Sequence, residues 1–342
     1  MADDRPTTTS PPEADRPLAL HLLRLARPAQ WSKSAFVVVG PAYGLRDIAV
    51  ETGVLDWDRV ISVMISVAIA ALIFSLTSSG CYVANDIADR EADRAHPRKC
   101  RRPIASGAVS VKTAWIFAAA LFVVATGLLF LLPAPERWWV GLAVTLYVIN
   151  TMSYSAVLKH HVIADVMSLS FGFVLRVMAG CAAAAIEPSV WLLNVTFFLS
   201  MFLAFGKRLG ERRTLARVAA ERGDGDDGDR AVAHRRVQGR YTDVLLQMAV
   251  VVTAVTTLMT YALYVQSEGD AFVQGFNLLW LTILPATYGM LRCIVLLEEG
   301  VFDDPTELAV HDRGFQLAGM AFVAITGGLM LWRLALPGSA PA

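Results

Sequence analysis

Cysteine is scarce in this chain: Cys81, Cys100, Cys181 and Cys293 are the four present, they lie far apart, and no C-x-x-C pair occurs. That excludes a disulfide framework built on close pairs and leaves reduced, structural thiols in or beside apolar segments. Charge is sparse and balanced, with 30 basic residues against 30 acidic ones. Global charge therefore points to no class of partner, and no nucleic-acid partner is expected. A signal-peptide pattern is also missing. Residues 1–17 are polar and rich in Pro and Thr, without an apolar stretch after a basic start, and read as a disordered tail. What the chain has in quantity is apolar length. At 55% hydrophobic residues and a mean hydropathy of +0.50 it is too apolar for an ordinary soluble protein and reads as an all-α, polytopic membrane helical bundle.

Apolar runs long enough to span a bilayer fall at roughly 32–50, 60–84, 112–132, 138–156, 163–186, 190–208, 242–266, 275–298 and 315–335, which predicts about nine transmembrane helices. Leu18 to Arg27 alternates leucines with His21, Arg24 and Arg27, a pattern for a short amphipathic helix on the membrane surface. With the amino terminus in the cytosol, the basic segments Arg90–Arg102, Lys159 and Lys207–Arg240 all lie inside, and mainly Arg46, Arg59, Arg137 and Arg333 lie outside. Each inward-running helix then delivers a polar cluster to one face. We expect a transferase-sized domain over 18–336 closing around a cavity open to the cytosol, with a flexible linker at 221–236 and a short tail at 337–342. Asp304-Pro305-Thr306-Glu307 carries the cap signals of a further short helix.

The most informative stretch is Asn85-Asp86-x-x-Asp89-x-x-x-Asp93 with the basic run Arg94 to Arg102 behind it. On a helix, Asp86, Asp89 and Asp93 share one face. Three carboxylates within two turns repel one another unless a cation joins them, and hard oxygen ligands favour Mg²⁺ or Ca²⁺. Mg²⁺ usually takes one or two carboxylates and shares the rest of its sphere with water and substrate phosphates, beside which the arginines would sit. Membrane anchoring explains the arginines but not three aligned aspartates at the edge of a bilayer.

This stretch, with His96-Pro97 and Arg102-Pro103-Ile104-Ala105-Ser106-Gly107, resembles the first aspartate motif of the UbiA superfamily of intramembrane prenyltransferases. Further blocks are more particular: Gln30-Trp31-Ser32-Lys33, Tyr154-Ser155 with Leu158-Lys159, Gly172-Phe173-Val174-Leu175-Arg176, and Gly206-Lys207-Arg208 with Glu211. They are similar to the branch that holds the decaprenyl-phosphate phosphoribosyltransferases, which serve arabinan synthesis in cell walls. The resemblance implies a multi-pass protein of the plasma membrane with its active site facing the cytosol. It also implies Mg²⁺ held by Asp86, Asp89 and Asp93, phosphoribosyl diphosphate as donor and a polyprenyl phosphate, decaprenyl phosphate, as acceptor. Association with further copies of the chain is left open.

Where ordinary members of the superfamily carry a second aspartate-rich motif, this chain has Gly206-Lys207-Arg208-Leu209-Gly210-Glu211-Arg212-Arg213, one carboxylate among four cations. Such a site suits a donor with an additional phosphate, and Lys207 and Arg208 are assigned to it, with Glu211 beside them. Lys33, Asn85, Arg102, Tyr154 and Lys159 complete the expected substrate contacts. Asp165 stands to ligate a second ion or to orient Lys159. Arg176 lies mid-span in one stripe with Asp165, Ser168, Gly172 and Gly180; an unpaired arginine at that depth costs at least ~2.5 kcal/mol, so a catalytic role is expected for it. Trp31, Trp138 and Trp139 read as interfacial anchors. The competing reading is a prenyltransferase that moves an isoprenoid from a prenyl diphosphate to an aromatic or other small acceptor. A transporter would instead place charges deep in several spans.

Overall fold

The computed structural model describes residues 17–44, 56–96, 99–222, 241–267, 272–273, 276–300 and 311–335. The expected tails, the 221–236 linker and the helix beginning at Asp304 fall almost wholly outside them. Leu18–Ala26 forms α1, ended by Arg27 in the left-handed region at φ 52°. A 3-10 segment Pro28–Ala35, with proline at its first position, leads into the short α2, Phe36–Tyr43.

The helix that positions the site is α3, Trp57–Ala88. Its first turn is capped by Asp56, whose carboxylate accepts the Arg59 N–H at 3.1 Å. Its 32 residues rise ~48 Å at 1.5 Å each, well beyond the ~30 Å hydrocarbon layer, so its last turns stand clear of the lipid tails. The break at Asp89 is slight. Asp89 N–H donates to Asn85 O and Asp93 N–H to Asp89 O, both at 2.8 Å, so the pattern runs on into α4, Arg90–Arg94.

The remaining helices are α5 Val111–Leu129, α6 Glu136–Ala156, α7 Ala164–Ala183, α8 Val190–Arg222, α9 Asp243–Ser267, α10 Ile283–Glu298 and α11 Arg313–Ala335. A two-stranded antiparallel ribbon, β1 Phe272–Val273 and β2 Phe276–Asn277, pairs Phe272 with Asn277 before α10. The two largest apolar cores lie in the two halves of the bundle. One joins α2, α3, α6 and α7 around Val37, Phe74, Tyr147 and Leu175. The other joins α8, α9 and α10 around Phe202, Phe205, Leu246 and Leu297, with Val166 of α7 reaching into it. Helix α7 is thus the inner wall: 67% of its span is buried, against 6% for α11, which faces the surroundings.

The class expected from the sequence holds, but not the count of nine. Among the described residues seven helices are long and apolar enough to cross a membrane. Of the expected first span, residues 45–50 lie outside the described ones and the rest forms the end of the 3-10 segment and the eight-residue α2, within which Pro41 interrupts regular hydrogen bonding. Helix α6, 21 residues long, has the length, but Asn150 and its Thr, Ser and Tyr residues dilute its hydropathy.

Helices α2 and α7 touch backbone to backbone. A Cβ on Gly180 would land on the Val37 carbonyl, well inside contact distance. Replacing Gly180 with Ala should therefore push the helices apart and cost about 1–3 kcal/mol, read as a lowered thermal midpoint of the purified protein. An unchanged midpoint would contradict this packing.

Candidate active site

At the end of α3, Asp86 is 4% exposed and Asp93 3% exposed, so both carboxylates are withdrawn from water. They are joined by one guanidinium. Arg102 Nη1 donates to Asp86 Oδ1 at 2.9 Å and to Asp93 Oδ2 at 2.7 Å. Arg27 adds a forked contact, its Nη2 lying 2.7 Å from Asp86 Oδ1 and 3.0 Å from Oδ2, and its guanidinium stacks over the Tyr82 ring. Lys99 approaches Asp93 at 3.8 Å. Asp89 is half-exposed, and Lys159 Nζ meets it at 3.3 Å. Three carboxylates therefore face four cations, Arg27, Lys99, Arg102 and Lys159. This surplus of positive charge, at a place where burial strengthens electrostatics, suits a polyanion. Asn85 is half-buried on the same turn.

A second polar cluster closes the start of α7. Asp165, 3% exposed, accepts Arg208 Nη2 at 2.5 Å, the Tyr241 hydroxyl at 2.7 Å and Val166 N–H at 2.8 Å. Tyr241 in turn accepts Ile163 N–H at 2.7 Å, which holds Ile163 at φ 72° as α7 begins. Burial, and then the hydrogen bond to Asp165, push the Tyr241 hydroxyl far above its ordinary range, so it stays a neutral donor. The sequence reading offered Asp165 as the partner of Lys159 and Arg208 as a phosphate ligand. Here the two meet each other, and Lys159 goes to Asp89 instead. Lys33 and Lys207 are exposed, while Tyr154 and Glu211 are half-buried.

Arg176 is not brought to the aspartates. Its Nη1 donates to Gly172 O at 3.0 Å, and its Nη2 to Ser78 Oγ at 3.1 Å and Tyr147 OH at 3.0 Å. The guanidinium carbon lies 4.5 Å from the Tyr147 ring centre and 5.7 Å from those of Phe74 and Phe173. Ser78 precedes Asp86 by ~12 Å along α3. The buried charge is met by neutral acceptors and aromatic faces, which pins α3, α6 and α7 together. The Trp31 indole N–H donates to Ser79 Oγ at 3.0 Å. Trp138 and Trp139 are 68% and 62% exposed, as anchors should be.

Two residues escaped sequence reasoning. Arg27 was read as part of a surface helix; the following proline, which stops α1, is the signal that its side chain is fixed in place. Tyr241 carries no local signal at all.

No three acidic, imidazole or thiol groups gather into a ready-made metal site among the described residues. Two hard oxygens, Asp86 Oδ1 and Asp93 Oδ2, do converge on one point, now held by Arg102. That matches an ion completed by substrate phosphates rather than one caged by protein.

Fold and site together define an intramembrane enzyme, a transferase whose charged groups gather at one end of a helical bundle. Residues 38–296 match the UbiA prenyltransferase family, and the chain belongs to it. It is 30% identical to a decaprenyl-phosphate phosphoribosyltransferase of Mycolicibacterium smegmatis, covering 96% of each chain. It is 32% identical to one of Corynebacterium glutamicum, over 90% of this chain and 85% of that relative. A UbiA homolog from Archaeoglobus fulgidus, solved bound to DMAPP and Mg²⁺, shares the fold with a TM-score of 0.60 at 15% identity, over 91% of this chain and 99% of that one.

Arg176→Ala should destabilise the protein by about 2–4 kcal/mol through the cavity and the unpaired hydroxyls it leaves, measured by thermal unfolding in detergent. Full stability with lost turnover would restore the catalytic role to Arg176.

Proposed function

We propose that this protein transfers a 5-phosphoribosyl group from phosphoribosyl diphosphate to a polyprenyl phosphate, decaprenyl phosphate in its relatives, and releases diphosphate. The observation that carries the reading is the site's charge: carboxylates fit to share a divalent ion, surrounded by more cations than they need. The names of the relatives support the acceptor and the transferred phosphoribosyl group; phosphoribosyl diphosphate is the donor we infer. The chain sits in the plasma membrane with this end in the cytosol, where the donor is soluble, and its product feeds cell-wall arabinan synthesis.

Mg²⁺, when bound, screens the donor's diphosphate and stabilises it as a leaving group. Asp86 and Asp93 would hold it, with Asp89 and Asn85 beside them. Arg27 and Arg102 neutralise the charge that develops on the departing diphosphate. A phosphate oxygen of the acceptor attacks C1 of the ribose as the bond from C1 to the diphosphate oxygen breaks, inverting that carbon. The acceptor is already an anion at neutral pH, so no strong base is required, and positioning carries much of the rate. Lys33, Lys159 and Lys207 hold the remaining phosphate groups near Tyr154 and Glu211. Arg208, anchored by Asp165, shapes the wall behind Lys207.

Membranes holding the protein, given labelled phosphoribosyl diphosphate, polyprenyl phosphate and Mg²⁺, should form a lipid-soluble labelled product. Chelation should stop it and added Mg²⁺ restore it. Asp89→Asn should lower turnover about 100-fold or more while the protein still inserts. Product formed instead only from a prenyl diphosphate and an aromatic acid would overturn the reading, as would wild-type transfer by Asp89→Asn.

A further inference from the structure

Lys159 reaches Asp89 from the short segment between α6 and α7, so its place depends on how that segment is held. The pair is open enough for a phosphate to join it, with side chains 29% and 44% exposed. The segment leaves α6 by an ordinary bond, Val157 N–H to Ser153 O at 2.9 Å, and makes one 3-10 turn, Leu158–His160. It enters α7 through Ile163, at φ 72° and ψ −49°. A β-branched residue rarely adopts that region and stays there only when its surroundings impose it. The turn itself is closed by its own bonds, His161 N–H to Leu158 O at 3.0 Å and Asp165 N–H to His161 O at 3.2 Å. Ile163 is therefore its hinge.

What imposes the angle lies 78 residues further along the chain. The Tyr241 hydroxyl accepts the Ile163 N–H at 2.7 Å and donates to Asp165 Oδ1 at 2.7 Å. Its two bonds thus end on either side of the Ile163–Ala164 junction and fix the bend between them. The residue is 1% exposed. Its ring stands edge-on to Phe205 at 6.2 Å between centroids, and the Arg208 guanidinium carbon lies 5.6 Å from the ring centre. Packing α7 against α8 would need only the ring; the hydroxyl, donor and acceptor at once, is spent on the bend.

We propose that Tyr241 is a positioning residue for the transfer reaction, holding the bend at Ile163 so that Lys159 stands beside Asp89 to meet a phosphate of the donor. This rests on the reading of Lys159 as a phosphate contact given above. Tyr241 acts through Lys159. Loss of its hydroxyl would leave the buried Ile163 N–H unpaired and release the bend, so that Lys159 loses its register with Asp89 while Asp165 keeps Arg208.

Tyr241→Phe keeps the ring and removes the hydroxyl. In the full-length protein, hydrogen exchange over residues 158–165 should quicken about tenfold in this variant, a readout that needs no substrate. In steady-state kinetics it should raise the donor KM about tenfold with kcat held within about twofold. Added to Lys159→Met, it should raise KM by less than about twofold further. A role confined to stability would lower the thermal midpoint and leave KM alone. Unchanged exchange, unchanged KM, or KM losses that multiply with those of Lys159→Met would overturn the proposal. The kinetics use whichever donor the wild type consumes, so consumption of a prenyl diphosphate alone would end the function proposed above while the same comparison still decides the role of Tyr241.

Discussion

One guanidinium nitrogen, Arg102 Nη1, stands between two buried carboxylates at 2.9 and 2.7 Å, and the active end of the protein depends on it. Asp86 and Asp93 are both buried, and two carboxylates so placed repel each other unless a cation stands between them. Arg102 supplies that cation from beyond the turn, and Arg27 supplies a second from the far side of α1. The contact thus ties the amphipathic helix, the end of α3 and the loop after α4 into one unit. Burying such charges costs desolvation that only good geometry and several hydrogen bonds offset, so the arrangement is better understood as a poised binding site than as a source of stability.

A parallel unit closes the other half-bundle. Asp165, Arg208 and Tyr241 lock the start of α7 to α8, and Arg212 and Arg213 extend the tie to Asp243 and Glu298. The two units meet across α7, whose Lys159-bearing approach reaches Asp89. Arg176 works deeper in the same wall, holding α3 and α6 through neutral groups and rings. These charged contacts gather toward one end of the bundle.

Much of this was legible in the amino-acid order. The apolar runs mark the helices because length and hydropathy decide what can cross a bilayer, and the spacing of Asp86 and Asp93 survives because helical hydrogen bonding continues through Asp89. Local signals failed where partners are distant in sequence. Arg27 finds Asp86 59 residues away, Tyr241 finds Asp165 76 residues away, and neither pairing leaves a trace in periodicity. Arg176 is too costly at its depth to be incidental, and depth alone does not distinguish a catalytic group from a pin between helices. The count of spans went wrong where prolines shorten a helix or hydroxyl and amide side chains dilute one.

The proposed function requires the carboxylates and guanidinium groups at the end of α3 to act as one receptor for a metal-bridged diphosphate donor. Calorimetric titration of phosphoribosyl diphosphate into the purified protein, with and without Mg²⁺, tests it on the wild type, Asp86→Asn, Arg102→Gln and the double substitution. Binding should require Mg²⁺, weaken about tenfold or more in each single variant, and fall by much less than the product of the two effects in the double variant. Binding that ignores Mg²⁺, or losses that simply multiply, would contradict the claim.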